Sequence, residues 1–262
     1  MTRPVTEFFD GYPDAFQRLG ELMDATPEPR SAGMLLDVAA MAGVTTASTV
    51  LDAGCRDGAW AARLEAKLGC RVVGVDLARE RLREAQAAHA LPVGEADVAA
   101  LPIADGSVDF VWCREVLSVV SDPIACLREY RRVLRAGGAV VSWEAFPTPA
   151  LSDDERAWFF EALDAPSWWA RGRSAFDEAV SESGFAVEFE TAVAPESTEW
   201  LALHEPQDLL EAMVRVAKMR RERERYEAEL GRWYTRMLAA SVWPLYLLLG
   251  KLQTYAVILR PA

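Results

Sequence analysis

The chain has 262 residues, 51% hydrophobic and 26% charged, an ordinary globular balance that excludes collagen-like, coiled-coil and wholly disordered chains. Its 28 basic and 40 acidic residues leave a net charge of −12, which argues against the basic surface that nucleic-acid binding needs. The four cysteines, Cys55, Cys70, Cys113 and Cys126, form no CxxC pair, and His89 and His204 are the two histidines, so no metal framework is expected and a reduced, cytoplasmic chain is.

Residues 1–47 read as an N-terminal helical lid. Phe8, Phe9, Tyr12, Phe16 and Leu19 recur at helical spacing, broken by Gly11 and Pro13, and 34–42 is a second short amphipathic stretch. Glu7, Asp10 and Asp14 exclude a signal peptide. From residue 48, short apolar runs alternate with helical periodicity, the pattern of βαβ units on a parallel sheet. Strands are predicted at 49–53, 71–75, 92–95, 108–113 and 139–144, with helices at 58–68, 79–89 and 123–134. The last of these helices runs into Gly137-Gly138, read as its stop. Residues 145–173 break the rhythm with Pro147, Pro149, Pro166, Trp158, Trp168 and Trp169, and form an aromatic insertion. A helix at 175–182 and a strand at 185–193 resume the sheet. Residues 195–253 are a helical cap, and 254–259 is the closing strand, so the core comprises 48–194 and 254–262. The apolar run 237–249 contains Pro244 and falls short of the roughly 20 residues of a membrane span. The mixed charges of 218–229 fit a solvated helix face.

One motif carries chemistry. Residues 50–58, Val-Leu-Asp-Ala-Gly-Cys-Arg-Asp-Gly, are a strand entering a tight turn and then a helix. Gly54 permits the turn and close approach of a ligand, and the helix start offers free N–H groups. Asp76 ends the second strand, where a carboxylate can bind ribose hydroxyls. Asp97 follows the third, placed to accept from an adenine amino group. Strand-end residues converge on one edge of an open α/β sheet, so the three can line one cleft. A dinucleotide dehydrogenase would want Gly-x-Gly-x-x-Gly, which Gly54-Cys55-Arg56-Asp57-Gly58 does not supply.

Five segments in order resemble the class I S-adenosylmethionine (SAM)-dependent methyltransferases, small-molecule type, over about residues 48–144. They are 52–58, 75–77, 95–102, 107–111 and 127–138. The resemblance implies a three-layer α/β, Rossmann-like fold. Seven strands would run in the order 3-2-1-4-5-7-6 with strand seven antiparallel, flanked by N-terminal helices and carrying an inserted helical cap. It implies SAM as cofactor, S-adenosylhomocysteine as product, and a cofactor site of Asp52, Gly54, Cys55, Arg56, Gly58, Asp76, Leu77, Asp97, Val98 and Cys113. Arg56 stands at the middle glycine of the family loop and must point away from the ligand or lie over its carboxylate. Asp52 is either a SAM contact or a ligand of loop amides, and Cys113 either a core residue or cleft wall near the methionine moiety.

Many small-molecule relatives carry a histidine near Ser118 or Val119, and this chain has none. The candidates for acid–base work are His204 in the cap, Glu144 at the end of strand five, and Tyr12, with Tyr234 as a further acid–base or orienting group. Arg114 and Glu115 could orient a polar substrate. Methyl transfer can also proceed by alignment alone. The expected function is in-line transfer of a methyl group to a small apolar or aromatic molecule, as in natural-product biosynthesis. The alternative is a protein that binds SAM or S-adenosylhomocysteine without transfer, as a regulatory module or SAM-supported cyclase. The partner is a small molecule, not nucleic acid or membrane, and the sequence is compatible with a homodimer.

Overall fold

The computed structural model describes the backbone of residues 5–262 and the side chains from residue 15 onward. Seven strands form one sheet: β1 (Thr49–Ala53), β2 (Arg71–Asp76), β3 (Val93–Glu95), β4 (Val108–Arg114), β5 (Leu134–Pro147), β6 (Phe185–Ala192) and β7 (Leu252–Pro261). Their order is β3-β2-β1-β4-β5-β7-β6, and β7 runs antiparallel to both neighbours. The pairings among β1 to β5 are parallel. The expected fold is therefore the one observed.

Among the described residues, twelve α-helices accompany the sheet. Two precede it, α1 (Val5–Asp24) and α2 (Met34–Met41). Four belong to its crossovers: α3 (Ala59–Leu68), α4 (Arg79–His89), α5 (Pro123–Val133) and α8 (Arg173–Glu182). The aromatic insertion holds α6 (Asp153–Ala162) and α7 (Ser167–Ala170), and the cap holds α9 (Glu196–His204), α10 (Pro206–Arg221), α11 (Arg223–Leu230) and α12 (Tyr234–Leu248). Local chemistry sets several starts. Asp122 accepts from the Ala125 amide at the head of α5, with Pro123 in the first turn. Ser152 and Glu155 close a capping box on α6. Among the described residues no helix is long and apolar enough to cross a membrane.

Alternate strand residues feed two apolar layers, as the period of two requires. Val50, Phe110, Trp112 and Val141 pack with Leu35 and Val38 of α2 and Leu64 of α3. Leu51, Val111 and Val140 face the other way, toward Leu127 and Tyr130 of α5 and Phe176 of α8. This second layer runs without a break into Phe159 and Phe160 of α6, Trp169 of α7, and Ala239, Val242 and Tyr246 of α12. The cap and the sheet therefore bury one core.

Three boundaries differ from the expectations. Helix α5 stops at Val133, because Leu134 is already extended (φ −69°, ψ 136°), so the glycine pair lies inside the long strand β5. Gly138 serves a close approach there: a Cβ would sit 2.6 Å from the Asp109 carbonyl oxygen. Strand β7 is ten residues rather than six, extended at both ends by pairing with β5 and β6. Helix α1 runs unbroken through Gly11 and Pro13. The side chain of Tyr12 and the aromatic face expected around it lie outside the described residues.

Candidate active site

Two cavities lie at the C-terminal edge of β1, β2 and β4, where an open parallel sheet places its ligands, and a third adjoins them between the turn after β4, the α6–α7 connection and α12. The smallest, about 150 Å³, is walled by Asp52, Arg56, Trp60, Trp112 and Arg114. The next, about 420 Å³, is lined by Asp76, Leu77, Asp97, Val98 and Val116, and shares Gly54, Arg56 and Arg114 with the first. The third, about 440 Å³, has Trp169, Trp243 and Ala240 as its apolar wall and Asp164 and Arg236 among its polar groups. Glu115 and Val119 line both the second and the third.

The turn after β1 is shaped by the backbone. Gly54 has φ +77°, and a Cβ there would lie 2.4 Å from Val116 Cγ2. The amides of Gly54 and Cys55 both donate to the Val75 carbonyl, at 2.8 and 3.0 Å, which ties the loop to β2. Arg56 follows at φ +49°. A side chain in that region costs roughly 1–2 kcal/mol, and the compensating contact is its amide, which donates to Asp76 Oδ2 at 2.9 Å. Asp76 Oδ1 accepts from the Ala78 amide at 2.8 Å. Its two oxygens retain lone pairs for ribose hydroxyls. Asp97, exposed, accepts from the Ala99 amide at 2.9 Å and stands at the far end of the second cavity. Gly58 opens α3 behind the loop, against Ala85.

The small cavity is electrostatically unusual. Asp52 is 3% exposed and its Oδ2 has no hydrogen-bond partner. Burial, reinforced by the charge of Asp76 and opposed by Arg114, pushes its pKa up to about 7. Trp112 Nε1 and Arg114 Nε are buried donors without partners. The Trp60 ring, 6.1 Å from that of Trp112, carries the guanidinium of Arg114 at 4.8 Å and that of Arg63 at 5.1 Å. An orphaned acid beside orphaned donors suits a zwitterion, ammonium toward Asp52 and carboxylate toward Arg114 and Arg56. Cys55 also lines this cavity, and burial lifts its thiol to about 12, so it is wall rather than nucleophile.

Three expected site residues lie elsewhere. Glu144 does not point into the cleft. It is 1% exposed, and its carboxylate accepts from the amides of Val116 (3.2 Å), Leu117 (3.1 Å) and Ser118 (3.2 Å) beneath the turn after β4. Burial raises its pKa to about 8 in spite of those donors. Cys113 is fully buried beside Tyr130 and Glu144, because the strand alternation turns it into the core. His204 is exposed at the end of α9, stacked on Trp200 with ring centroids 4.5 Å apart, and lines none of the cavities described. Of the aromatic residues after strand five, only Trp169 and Trp243 line the third cavity; their rings stack at 5.3 Å. Trp168 instead donates to the Val120 carbonyl, and Trp143 joins the opposite layer. No local pattern marks Asp164 and Arg236, which reach the cavity from positions 72 apart in the chain. Arg114, expected to orient a polar substrate, lines the first two cavities.

Residues 51–142 match the family described as a methyltransferase domain. The chain is 33% identical over 154 residues to malonyl-[acyl-carrier protein] O-methyltransferase of Pseudescherichia vulneris, covering 58% of this chain and 59% of that protein. It spans about half the length of the curated relatives it matches. Among solved structures it is similar to a putative sarcosine dimethylglycine methyltransferase from Galdieria sulphuraria, at a TM-score of 0.64 and 15% identity over 87% of this chain and 84% of that one. It is also similar to the [4+2]-cyclase SpnF, at 0.65 and 19% over 90% and 84%. Residues 51–142 are thus a methyltransferase domain, set in a seven-stranded sheet of Rossmann-like order. Its cofactor is SAM, and the residues around the first two cavities fit that molecule. Among the described residues, no group of three or more His, Cys, Asp or Glu side chains is placed to hold a metal ion.

Proposed function

We propose that the protein transfers the methyl group of SAM to a small apolar or aromatic molecule held in the third cavity. The observation that carries this reading is the continuity of the cavities: Glu115 and Val119 are walls of both the cofactor cavity and the aromatic one. The cofactor supplies an electrophilic methyl group. Asp76 holds the ribose, Asp97 and Val98 the adenine, and Leu77 covers the ring. Asp52, Arg56 and Arg114 hold the amino-acid end. A volume of about 440 Å³ with stacked indoles is the size and lining of a small-ligand pocket. All four cysteines are free and buried, which supports work in a reducing compartment.

The test is calorimetric titration with SAM, followed by incubation with methyl-labelled SAM and a panel of small aromatic hydroxy and amino compounds. SAM binding with label transfer to a panel member is the expected result. Failure to bind SAM refutes the cofactor assignment. Tight binding with no transfer to any member favours a SAM-binding protein that does not methylate.

A further inference from the structure

Glu115 follows the last residue of β4 and has φ +55°. A bulky side chain in that region is an uncommon and costly conformation, and such residues cluster at functional sites. The surroundings hold it there: its amide donates to the Trp143 carbonyl of β5 at 2.8 Å. Among the described residues it is the one titratable group that lines both the cofactor cavity and the aromatic cavity. Its side chain is half-buried and forms an ion pair with Arg114, whose Nη1 stands 3.5 Å away. The other charged groups that share its cavities are Arg56, Asp76 and Asp97 on the cofactor side, which do not line the aromatic cavity, and Asp164 and Arg236 on the aromatic side, with Glu144 beneath the turn. Glu144 is consumed by backbone amides, and Asp164 and Arg236 do not reach the cofactor cavity.

We propose that Glu115 is the catalytic base at the junction of the two cavities, and that the substrate is an aromatic molecule whose acceptor is a protic hydroxyl or amine. The proposal rests on the methyl-transfer reading above. A lone pair of the acceptor atom forms the new bond to the methyl carbon. The bond from that carbon to sulfur breaks, and its electron pair goes to sulfur, leaving a neutral thioether. The acceptor proton passes to a Glu115 oxygen, which gives it up to water after the product leaves. No oxidant or further reactant is needed. This role also accounts for the missing histidine near Ser118 and Val119, because the carboxylate reaches the same junction from the end of β4.

The experiment uses the full chain, labelled SAM and a series of para-substituted phenols of graded acidity. Glu115→Gln is expected to bind SAM within about threefold of the unaltered protein. Its kcat should fall by about 10² to 10⁴ on unsubstituted phenol, the range of a lost general base. The loss should shrink to under about tenfold on 4-nitrophenol above neutral pH, where the acceptor is already ionised and needs no base. A second readout does not depend on turnover. In the S-adenosylhomocysteine complex, the phenolate absorbance of bound 4-nitrophenol should appear at lower pH in the variant, since a carboxylate beside the ring disfavours the phenolate. Glu115→Asn, a residue type that tolerates the left-handed backbone, serves if the glutamine variant fails to fold. An equal loss across the phenol series, or no loss, overturns Glu115 as base while leaving methyl transfer standing. SAM binding without methylation of any phenol by the unaltered protein overturns both.

Discussion

Replacing Asp52 by asparagine tests the small cavity most directly. Burial holds the carboxyl near pH 7 in the folded chain, against 3.8 as its ordinary value. A folded-state pKa above the unfolded one means that the folded state keeps the proton longer. Stability from this group is therefore fully present below about pH 4 and is lost as pH rises toward about 7. About three pH units at 1.36 kcal/mol each set the penalty at up to about 4 kcal/mol at pH 7 and above. Asp52→Asn removes it. Urea denaturation of the cofactor-free protein should show the variant more stable by up to about 4 kcal/mol at pH 7.5, with the two proteins converging near pH 4. Glu144 has a raised pKa as well, about 8, but it is common to both proteins and cancels in the difference. SAM should behave oppositely. Its ammonium favours the ionised carboxylate, so binding expels a proton, and affinity should rise about tenfold per pH unit between pH 5 and 7. In the variant the affinity should be lower and flat over that range. An asparagine variant less stable than the parent at pH 7.5, or one with the same pH slope for SAM, would refute the assignment.

Arg56→Gly should weaken SAM binding several-fold and leave methylthioadenosine, which lacks the amino-acid end, unaffected; paired calorimetric titrations separate the two. Trp169→Ala removes a ring that is 2% exposed, packs on Phe160 and Trp243, and donates to the Ala145 carbonyl. It should cost about 3–5 kcal/mol in chemical denaturation, since cap and sheet share that core. His204→Ala should change neither SAM affinity nor label transfer by more than about twofold, because the ring packs only on its own helix turn, with Nδ1 3.0 Å from the Trp200 carbonyl oxygen.

The cofactor half was legible because its determinants are local. A strand, a glycine turn and a helix start within nine residues, and an acid at the end of the next strand, specify a backbone shape that the topology brings to one edge. Strand alternation likewise told that Cys113 and Trp112 face opposite ways, though not which faced the ligand. The two tryptophans of this half, Trp60 and Trp112, belong to the apolar layer beside α2 and α3 and also wall the small cavity. The substrate side was not legible, because it is assembled by packing over long separations. Nothing in the local pattern separates Trp169 and Trp243, which line the cavity, from Trp168 or Trp200, which do not. Asp164 and Arg236 line one cavity only because α12 packs against α6.

Glu144 shows how a strand-end acid can be read in the right place for the wrong role. The period of two puts it at the cleft edge of β5, but it cannot foresee that the chain after β4 turns over it. Three consecutive amides, 116 to 118, then close on the carboxylate. Those amides belong to the turn that bears Glu115 at one end and Val119 at the other, the two residues common to the cofactor and aromatic cavities. A buried acid that satisfies three otherwise unpaired N–H groups fixes that turn more firmly than packing alone, since each unmade bond would cost about 1–3 kcal/mol. On the proposed function, Glu144 is thus a positioning residue, which sets the place of the segment bordering both cavities.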